Sequence, residues 1–171
     1  MSELFIRSVT PDDAAALAEI YGYYVENTAV SFEYVPPTEE EFRGRISHTL
    51  ARYPYLAAVC GNKIIGYAYA REFVGRQACA HCVEVSVYVA HDSRRSGAGR
   101  ALYQEMERRL VDMGIINVYA SIAYADEEDE FLTHDSPEFH KRMGYEQVAR
   151  FHRCGYKFGN WYDLIWVEKF I

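Results

Sequence analysis

The sequence predicts a single α/β domain in which strands alternate with amphipathic helices. The chain has 171 residues, which is enough for one domain with a buried core and short for two. Half of the residues are hydrophobic and 25% are charged, a composition typical of globular proteins. Strand-like and helix-like segments follow one another in the order β-α-α-β-β-β-α-β-α-β-β, and no internal repeat or linker interrupts them. The predicted domain therefore spans residues 1–171.

The first strand and the first two helices are predicted by their apolar pattern and their start signals. Residues 4–9 are mostly apolar and predict the strand. Thr10 and Pro11 suit the N-cap and the first position of a helix that runs to residue 27. Thr38 and Glu41 form a capping-box pattern, which predicts a second helix over residues 39–52. Residues 29–35 then form a loop between the two helices.

The middle of the chain predicts three strands. Apolar runs at residues 55–60 and 63–71 flank a Gly61-Asn62 turn and predict a β-hairpin. Residues 84–89 continue the sheet, and alternation predicts that the valines of this strand share one face. The opposite face then carries Cys82, Glu84, Ser86 and Tyr88.

The last third predicts two helices and three more strands. Apolar residues recur at helical spacing over residues 97–114, and Gly114 can end that helix. The remaining predicted elements are a buried strand at 115–123, an acidic irregular stretch at 126–135, a short helix at 136–143, and a closing hairpin of 145–154 and 156–170.

Composition and charge exclude several classes of protein. A net charge of −7 leaves no basic footprint, which argues against a nucleic-acid partner. No segment resembles a signal peptide or approaches the length of a membrane span, so we expect no membrane association and a cytoplasmic location. The cysteines are then expected to be reduced thiols. Cys79 and Cys82 form a C-x-x-C pattern, but no second pair follows, so no metal site is predicted. The fifteen tyrosines suit a pocket, an interface or ordinary core packing.

The strongest motif lies where the strand at 84–89 passes into the helix at 97–114. We call residues 87–100 the phosphate loop; they contain the pattern R-x-x-G-x-G, with glycines at 97 and 99. Glycine lets a ligand approach the backbone closely, and free amides at a helix start bind anions such as a pyrophosphate. The pattern lacks the Lys-Ser/Thr pair of a Walker loop. It therefore predicts a phosphate site of another type.

In this order of elements, the phosphate loop resembles the acetyl-CoA motif Q/R-x-x-G-x-G/A of the GNAT superfamily of N-acetyltransferases. The resemblance covers nearly the whole chain and points to the phosphinothricin and methionine sulfone acetyltransferases. It is carried by Ile20-Tyr21-x-x-Tyr24-Val25, Ser31-Phe32-Glu33, Arg52-Tyr53-Pro54-Tyr55-Leu56, Gly66-Tyr67-Ala68-Tyr69-Ala70, Val83 to Val89, Phe139-His140-x-x-Met143-Gly144-Tyr145 and Gly155-Tyr156-Lys157-Phe158-Gly159-x-Trp161-Tyr162-Asp163. One departure is that Ala123-Tyr-Ala-Asp126 and an acidic insertion replace the G-x-P-N-like turn of such enzymes.

The resemblance implies a mixed, mostly antiparallel sheet that is flanked by helices and splays open at an acetyl-CoA site. No metal is implied. The residues expected to bind the cosubstrate are Val85, Ser86, Val87, Tyr88, Val89, Arg94, Arg95, Ser96, Gly97, Ala98, Gly99, Arg100, Asp126 and Ser136. Main-chain groups of the strand after Glu84 would hold the acetyl group, since backbone amides are common oxyanion donors.

The resemblance also implies two catalytic residues. Acetyl transfer needs a neutral amine, and Glu84, flanked by valines, is the expected general base. The alternative is a sheet-edge carboxylate paired with an arginine. Many relatives carry a tyrosine in the last helix, where this chain has Phe139-His140. His140 is either the proton donor to the leaving thiolate or a residue that only contacts the cosubstrate.

The expected substrate is a small amino-acid-like amine. The resemblance implies contacts from Phe32, Glu33, Arg71, Phe73 and Arg76, since arginine binds a carboxylate through two hydrogen bonds. The insertion at residues 124–134 forms either a lid or a solvated acidic loop.

Two other functions remain open at this point. One is acetylation of protein or polyamine amines, and the other is a CoA-binding sensor that lacks catalysis. Relatives of this type also imply a homodimer.

Overall fold

Seven strands form one mixed sheet with the spatial order β1-β2-β3-β4-β5-β7-β6. The computed structural model describes residues 3–171. The strands are β1 (Leu4–Ser8), β2 (Tyr55–Cys60), β3 (Lys63–Glu72), β4 (Cys82–Val89), β5 (Asn117–Tyr124), β6 (Glu146–Lys157) and β7 (Asn160–Phe170). The helices are α1 (Ala14–Asn27), α2 (Glu39–Leu50), α3 (Ala98–Asp112) and α4 (Asp135–Arg142).

The start signals act much as the sequence predicts. Thr38 and Glu41 form the capping box of α2, because Thr38 donates its backbone N–H to Glu41 at 2.7 Å and Glu41 N–H returns to the threonine hydroxyl at 3.2 Å. Before α1, Pro11–Asp13 forms a 3₁₀ turn, so the α-helix proper begins at Ala14. Both helices end within two residues of the predicted positions.

Helices cover both faces of the sheet. One face packs against α1 and α2 through a cluster that includes Leu17, Ile46 and Tyr67. The other face packs against α3 through Val83, Val85, Leu102 and further apolar residues. The predicted alternation of β4 is confirmed, because its valines face α3 and Tyr88 faces α1 and α2.

The sheet opens between β4 and β5. All neighbouring strands of the described chain pair antiparallel except these two, which run parallel. Their pairing covers only Cys82, Val83 and Glu84 of β4, although the strand continues to Val89. Beyond Glu84 the two strands diverge. The predicted mixed, mostly antiparallel and splayed α/β fold is therefore confirmed.

The closing hairpin differs from the prediction in the position of its turn. The prediction divides the two strands at Gly155, but β6 runs through that residue and the turn follows Lys157. Gly155 is needed because the ring of Phe32 lies against it, and a Cβ there would be 2.5 Å from that ring. The irregularity that a glycine indicates is a bulge between Phe151 and Gly155, where Arg153 has a φ of 50°.

Candidate active site

The phosphate loop joins β4 to α3 in a conformation that exposes backbone amides. Arg95 has a φ of 62° and Gly97 a φ of 87°, so both lie in the left-handed region. Glycine adopts that region without strain, and α3 begins directly after it at Ala98. The first amides of a helix have no partners within the helix and favour an anion. The loop therefore has the backbone geometry of an anion site.

A cavity of about 590 Å³ lies against this loop, and we call it the loop cavity. Its walls include the predicted Arg94, Arg95 and Arg100, so cations gather there in a chain whose net charge is −7. A Cβ on Gly99 would lie 3.4 Å from the ring of Phe139, which is ordinary van der Waals contact. Lining residues that the sequence analysis did not identify are Tyr24, Val30, Thr133, Asp135, Phe139 and Arg142.

A narrower space of about 50 Å³ lies between the diverging strands, and we call it the strand cleft. The predicted Val85, Ser86 and Val87 line one side, and Ser121 of β5 lies on the other. Because β4 has lost its pairing with β5 here, backbone groups on this side of the strand are available to a ligand. Val30, Val87, Tyr88 and Ser136 line both the strand cleft and the loop cavity, so the two spaces adjoin.

Glu84 lies at the point where β4 and β5 part. Its side chain is only 4% exposed and accepts two hydrogen bonds from Arg71, from Nε at 2.9 Å and from Nη2 at 2.8 Å. Ser121 Oγ donates a third hydrogen bond to Glu84 at 2.8 Å. Arg71 is the residue opposite Glu84 in the register of β3 and β4. The predicted alternative of a carboxylate paired with an arginine is therefore present in the geometry.

The ion pair affects the protonation of Arg71. The hydrogen bonds to Glu84 raise the pKa of Arg71, against the opposing effect of burial, so the guanidinium stays charged. The geometry of the pair is compatible with a general base as well as with a structural role.

His140 is buried in α4 and forms a chain of hydrogen bonds with Tyr103 of α3. Its Nδ1 lies 2.8 Å from the carbonyl oxygen of Ser136, which can only accept, so Nδ1 carries the proton. Nε2 then accepts from the Tyr103 hydroxyl at 2.8 Å. Burial lowers the pKa of His140 to about 4 and raises that of Tyr103, so both groups are neutral.

This arrangement changes the expectation for the proton donor. The N–H of His140 is directed at Ser136, whereas the hydroxyl of Tyr103 lies beside the strand cleft together with His140. Tyr103 of α3 therefore supplies a tyrosine beside the last helix, where the sequence itself has Phe139 and His140. Its ring packs edge-on against both of these residues. In the sequence, the position of Tyr103 on the buried face of α3 could have indicated this residue.

A third cavity, of about 770 Å³, opens on the α1 and α2 side of the sheet, and we call it the tyrosine cavity. Of the predicted substrate residues, Glu33 and Arg71 line it. Further lining residues are Tyr21, Phe42, Arg45, His48, Arg52, Tyr53, Tyr55, Tyr67, Tyr69 and Glu72. The surplus of tyrosine in the composition therefore serves a cavity as well as the core.

The tyrosines of this cavity keep their protons at neutral pH. Burial raises the pKa of Tyr21 to about 12, and it also raises the pKa values of Tyr55 and Tyr67. Such hydroxyls act as hydrogen-bond donors and not as bases. Glu84 lies between the tyrosine cavity and the strand cleft. On one side it contacts Arg71, which lines the tyrosine cavity. On the other side it contacts Ser121, which lines the strand cleft.

Three predicted substrate residues lie elsewhere. Phe32 packs in a separate cluster with Leu132 and Tyr162, because Gly155 provides a flat surface for its ring. Phe73 stacks on Tyr119 with ring centroids 4.0 Å apart. Arg76 is exposed and precedes a 3₁₀ turn. None of the three lines the tyrosine cavity.

Asp126 lies in an ion pair outside these spaces. Its carboxylate forms an ion pair with Arg150 at 2.9 Å, and Arg150 Nε also binds Asp163 at 2.6 Å. Asp126 lines neither the loop cavity nor the strand cleft.

Between β5 and α4 the acidic insertion has no helix or strand, and part of it packs against the site. Asp129 turns inward and accepts hydrogen bonds from the backbone N–H groups of Phe131 and Leu132, both at 2.8 Å, and from the Tyr162 hydroxyl at 2.7 Å. Leu132 is 4% exposed and lines the strand cleft, and Thr133 lines the loop cavity. The insertion thus contributes an apolar wall to the site while most of its carboxylates point outward.

The predicted C-x-x-C segment spans a 3₁₀ turn and the start of β4. Across residues 3–171, no group of three or more His, Cys, Asp and Glu side chains is arranged to hold a metal ion. In the same range, no helix has the length and apolar character needed to cross a membrane.

Comparison with known proteins identifies the class. Residues 6–166 match the family described as an acetyltransferase (GNAT) domain. The chain is 31% identical to the phosphinothricin N-acetyltransferase of Streptomyces viridochromogenes, over 96% of this chain and 87% of that protein. It is 29% identical to the L-methionine sulfoximine/L-methionine sulfone acetyltransferase of Pseudomonas aeruginosa, over 95% and 92% of the two chains.

A solved structure gives the same result. The crystal structure of a GNAT superfamily phosphinothricin acetyltransferase from Sinorhizobium meliloti in complex with AcCoA has a TM-score of 0.87 and 29% identity, over 100% of this chain and 89% of that one. The chain therefore belongs to the GNAT acetyltransferases. It is an acetyl-CoA-dependent N-acetyltransferase, as the phosphate loop predicts.

The described residues fit acetyl-CoA. A Cβ on Gly97 would meet nothing within 4 Å, so the loop leaves open space beside this glycine. The arginines of the loop cavity match the phosphates of the cosubstrate. The strand cleft continues from that cavity toward Glu84 and is narrow enough for an extended thioester arm.

Proposed function

We propose that the protein transfers the acetyl group of acetyl-CoA to the amine of a small amino-acid-like substrate of the phosphinothricin, methionine sulfone or methionine sulfoximine type. The observation that carries this proposal is the position of Glu84, between the strand cleft and the tyrosine cavity. The acetyl donor and the amine can then approach the same carboxylate from two sides of β4. The chain as a whole, residues 1–171, is proposed to form one N-acetyltransferase domain.

Acetyl-CoA supplies an activated acetyl group as a thioester. The proposed binding residues for its phosphates are Arg94 to Arg100, with the amides of Arg95 to Gly99 facing the pyrophosphate. Backbone groups of Val85, Ser86 and Val87 hold the acyl end, and Tyr88, Val89 and Ser136 line the passage between.

Glu84 is the proposed general base. A free amine is mostly protonated at neutral pH, so a group near the acetyl site must accept a proton. The tyrosines of the cavity are poor candidates, because burial raises their pKa values. Arg71 holds the Glu84 carboxyl group in one orientation through two hydrogen bonds.

Tyr103 is the proposed proton donor to the leaving thiolate: its hydroxyl hydrogen is held by His140 Nε2 in the resting site and turns to the sulfur as the carbon–sulfur bond breaks. The neutral imidazole holds the phenol at the edge of the strand cleft, since its own proton is bound by Ser136. His140 thereby contributes to catalysis through Tyr103 and not by direct proton transfer.

The tyrosine cavity supports a substrate that carries a carboxylate and a second oxygen-bearing group. Nη1 of Arg71 has no hydrogen-bond partner in residues 3–171, so it remains available to a carboxylate. Protonated tyrosine hydroxyls can donate to sulfone or phosphinate oxygens at the other end. Glu33 ties Arg45 to the cavity wall through two hydrogen bonds.

The deciding experiment compares substrates that differ in one group. Free-thiol release from acetyl-CoA should be faster with methionine sulfone than with methionine, because only the side chain of the sulfone carries oxygens that can accept hydrogen bonds from the cavity. Phosphinothricin and methionine sulfoximine should also be acetylated. Spermidine and a peptide with a free N-terminal alanine test the competing substrates. Preference for either, or no thiol release with any amine, would contradict the proposed function.

A homodimer in the cytoplasm is proposed as the working form. The β6 and β7 hairpin leaves Val148, Phe151, Tyr156 and Trp161 exposed, with Trp161 at 60% exposure. Exposed apolar side chains in a group favour a protein interface. Light scattering should give twice the mass of the 19.8 kDa chain, and Trp161→Glu should give the monomer.

A further inference from the structure

Glu84 is close to the reaction site but shielded from it. The residue is 3% exposed and is not among those that line the strand cleft, the loop cavity or the tyrosine cavity. Its oxygens face Arg71 and Ser121. A proton from the substrate amine must therefore reach the carboxylate through one of these neighbours or through a water molecule.

Of the two side chains that contact Glu84, only Ser121 can carry that proton. A guanidinium has donors and no acceptor, and it stays protonated, so Arg71 cannot take up a proton. A hydroxyl is both a donor and an acceptor, and Ser121 Oγ already directs its hydrogen at Glu84 Oε1 over 2.8 Å. Ser121 also lines the strand cleft, opposite Val85 and Ser86 of β4.

The local fold fixes this bridge. Tyr119 is the last residue of β5 that pairs with β4, and its partner is Glu84. Ser121 lies two residues further along β5, on the same face of that strand as Tyr119. Because the two strands diverge beyond Tyr119, the small side chain of Ser121 can hydrogen-bond to Glu84 without filling the strand cleft.

We propose that Ser121 is a catalytic residue that relays the proton of the substrate amine to Glu84. One proton of the substrate ammonium passes to Ser121 Oγ while the serine hydroxyl proton passes to Glu84 Oε1, which leaves a neutral amine. The amine nitrogen then bonds to the acetyl carbon and the carbon–sulfur bond breaks. The sulfur keeps the electron pair of the broken bond and takes its proton from Tyr103, and Tyr103 regains a proton from the nitrogen of the new amide. Ser121 is unchanged and Glu84 ends as the carboxylic acid. The relay rests on the proposed role of Glu84 as the base.

The experiment uses single-turnover acetylation of methionine sulfone by the full-length protein at saturating acetyl-CoA. Ser121→Ala removes the relay and should lower the rate on the order of 10²-fold, within the range for lost acid–base catalysis. Ser121→Thr retains the hydroxyl on a strand-compatible residue and should keep most of the activity. The melting temperature and the acetyl-CoA dissociation constant by calorimetry, measured for both variants, verify that each is folded and saturated with acetyl-CoA under the conditions of the rate measurement.

Two further measurements separate the relay from a structural role. Solvent deuterium should slow the natural enzyme with a curved proton inventory, because two protons move together, and Ser121→Ala should lose the curvature. In a double-mutant cycle with Glu84→Gln, the two losses should be non-additive because both residues act in one step.

The outcomes distinguish the relay from the base. Full activity of Glu84→Gln would overturn the proposed base and the relay with it. Loss of activity in Glu84→Gln with full activity in Ser121→Ala would overturn the relay alone. A Ser121→Thr variant as slow as Ser121→Ala, with both folded, would also contradict it.

Discussion

Asp129 offers a sharp test of how the acidic insertion serves the cosubstrate site. Asp129→Ala removes the acceptor for two backbone N–H groups and the Tyr162 hydroxyl. Hydrogen bonds to charged groups contribute about 1.5–3 kcal/mol each, and water replaces part of this in a half-exposed segment. We take a net loss of about 1.5–3 kcal/mol for the whole segment, which acetyl-CoA binding must then supply again to order Leu132 at the strand cleft. The dissociation constant for acetyl-CoA should therefore rise roughly 10- to 100-fold.

A control variant separates packing from charge. Glu127→Ala removes one negative charge from the same segment, where Glu127 is exposed. If charge alone mattered, both variants would bind the anionic cosubstrate more tightly, since a repulsion is removed. Packing predicts a weaker affinity for Asp129→Ala and little change for Glu127→Ala.

Calorimetric titration with two ligands locates the effect. Acetyl-CoA reaches the strand cleft, whereas adenosine 3′,5′-bisphosphate carries only the nucleotide end. Asp129→Ala should lower the affinity for acetyl-CoA and leave the affinity for adenosine 3′,5′-bisphosphate unchanged, because Leu132 lines the strand cleft. Hydrogen exchange at the Phe131 and Leu132 amides should accelerate in the same variant. Unchanged acetyl-CoA affinity despite accelerated exchange would refute the reasoning, as would equal weakening in Glu127→Ala.

Three further predictions concern the loop, the base and the buried imidazole. Gly97→Val forces a β-branched residue to a φ of 87°, so acetyl-CoA affinity by calorimetry should fall sharply, while Gly44→Ala in α2 should not change it; equal affinities would contradict the anion site. Glu84→Gln should lower single-turnover rates by roughly 10²–10⁴-fold at neutral pH, with partial recovery at high pH where more amine is neutral; a flat pH response would indicate damage to the fold. Burial lowers the pKa of His140 to about 4, so the unfolded chain binds a proton more readily and stability should fall as the pH drops from about 6.5 toward 4. Over that range the loss is about 3 kcal/mol, and His140→Gln should flatten this part of the pH–stability curve in urea titrations; an unaltered slope would refute it.

The features that the sequence predicted well are those determined by short stretches of chain. A capping box needs only Thr38 and Glu41, and the phosphate loop needs only the glycines and arginines between β4 and α3. The order of strands and helices follows from local periodicity in the same way. The turn of the closing hairpin was misplaced because Gly155 is required by the ring of Phe32, which is more than one hundred positions away.

The tyrosine cavity could not be derived from the sequence, because its walls come from α1, α2, β2 and β3 together. Tyr67 and Tyr69 were visible as strand residues, but nothing local indicates that Arg45 and Arg52 of the α2 region face them. Phe32, Phe73 and Arg76 were assigned by resemblance, and their side chains instead found partners in aromatic stacking or solvent. Side-chain direction in loops is decided by such packing and not by position along the chain.

The Glu84 ion pair shows why a structural and a catalytic interpretation of one residue need not compete. A paired carboxylate and a general base were alternatives for Glu84 in the sequence, yet the pairing with Arg71 also holds the carboxyl group in one orientation, as a base requires. The same burial that protects the carboxylate also separates it from the cavities on either side. A base that is shielded in this way needs another group to bring it the proton. The pairing of β4 with β5 ends at Glu84 and Tyr119, and beyond that point Ser121 can contact Glu84 and pass the proton to it. The splay of the sheet thus opens the cosubstrate site and provides the path for the proton.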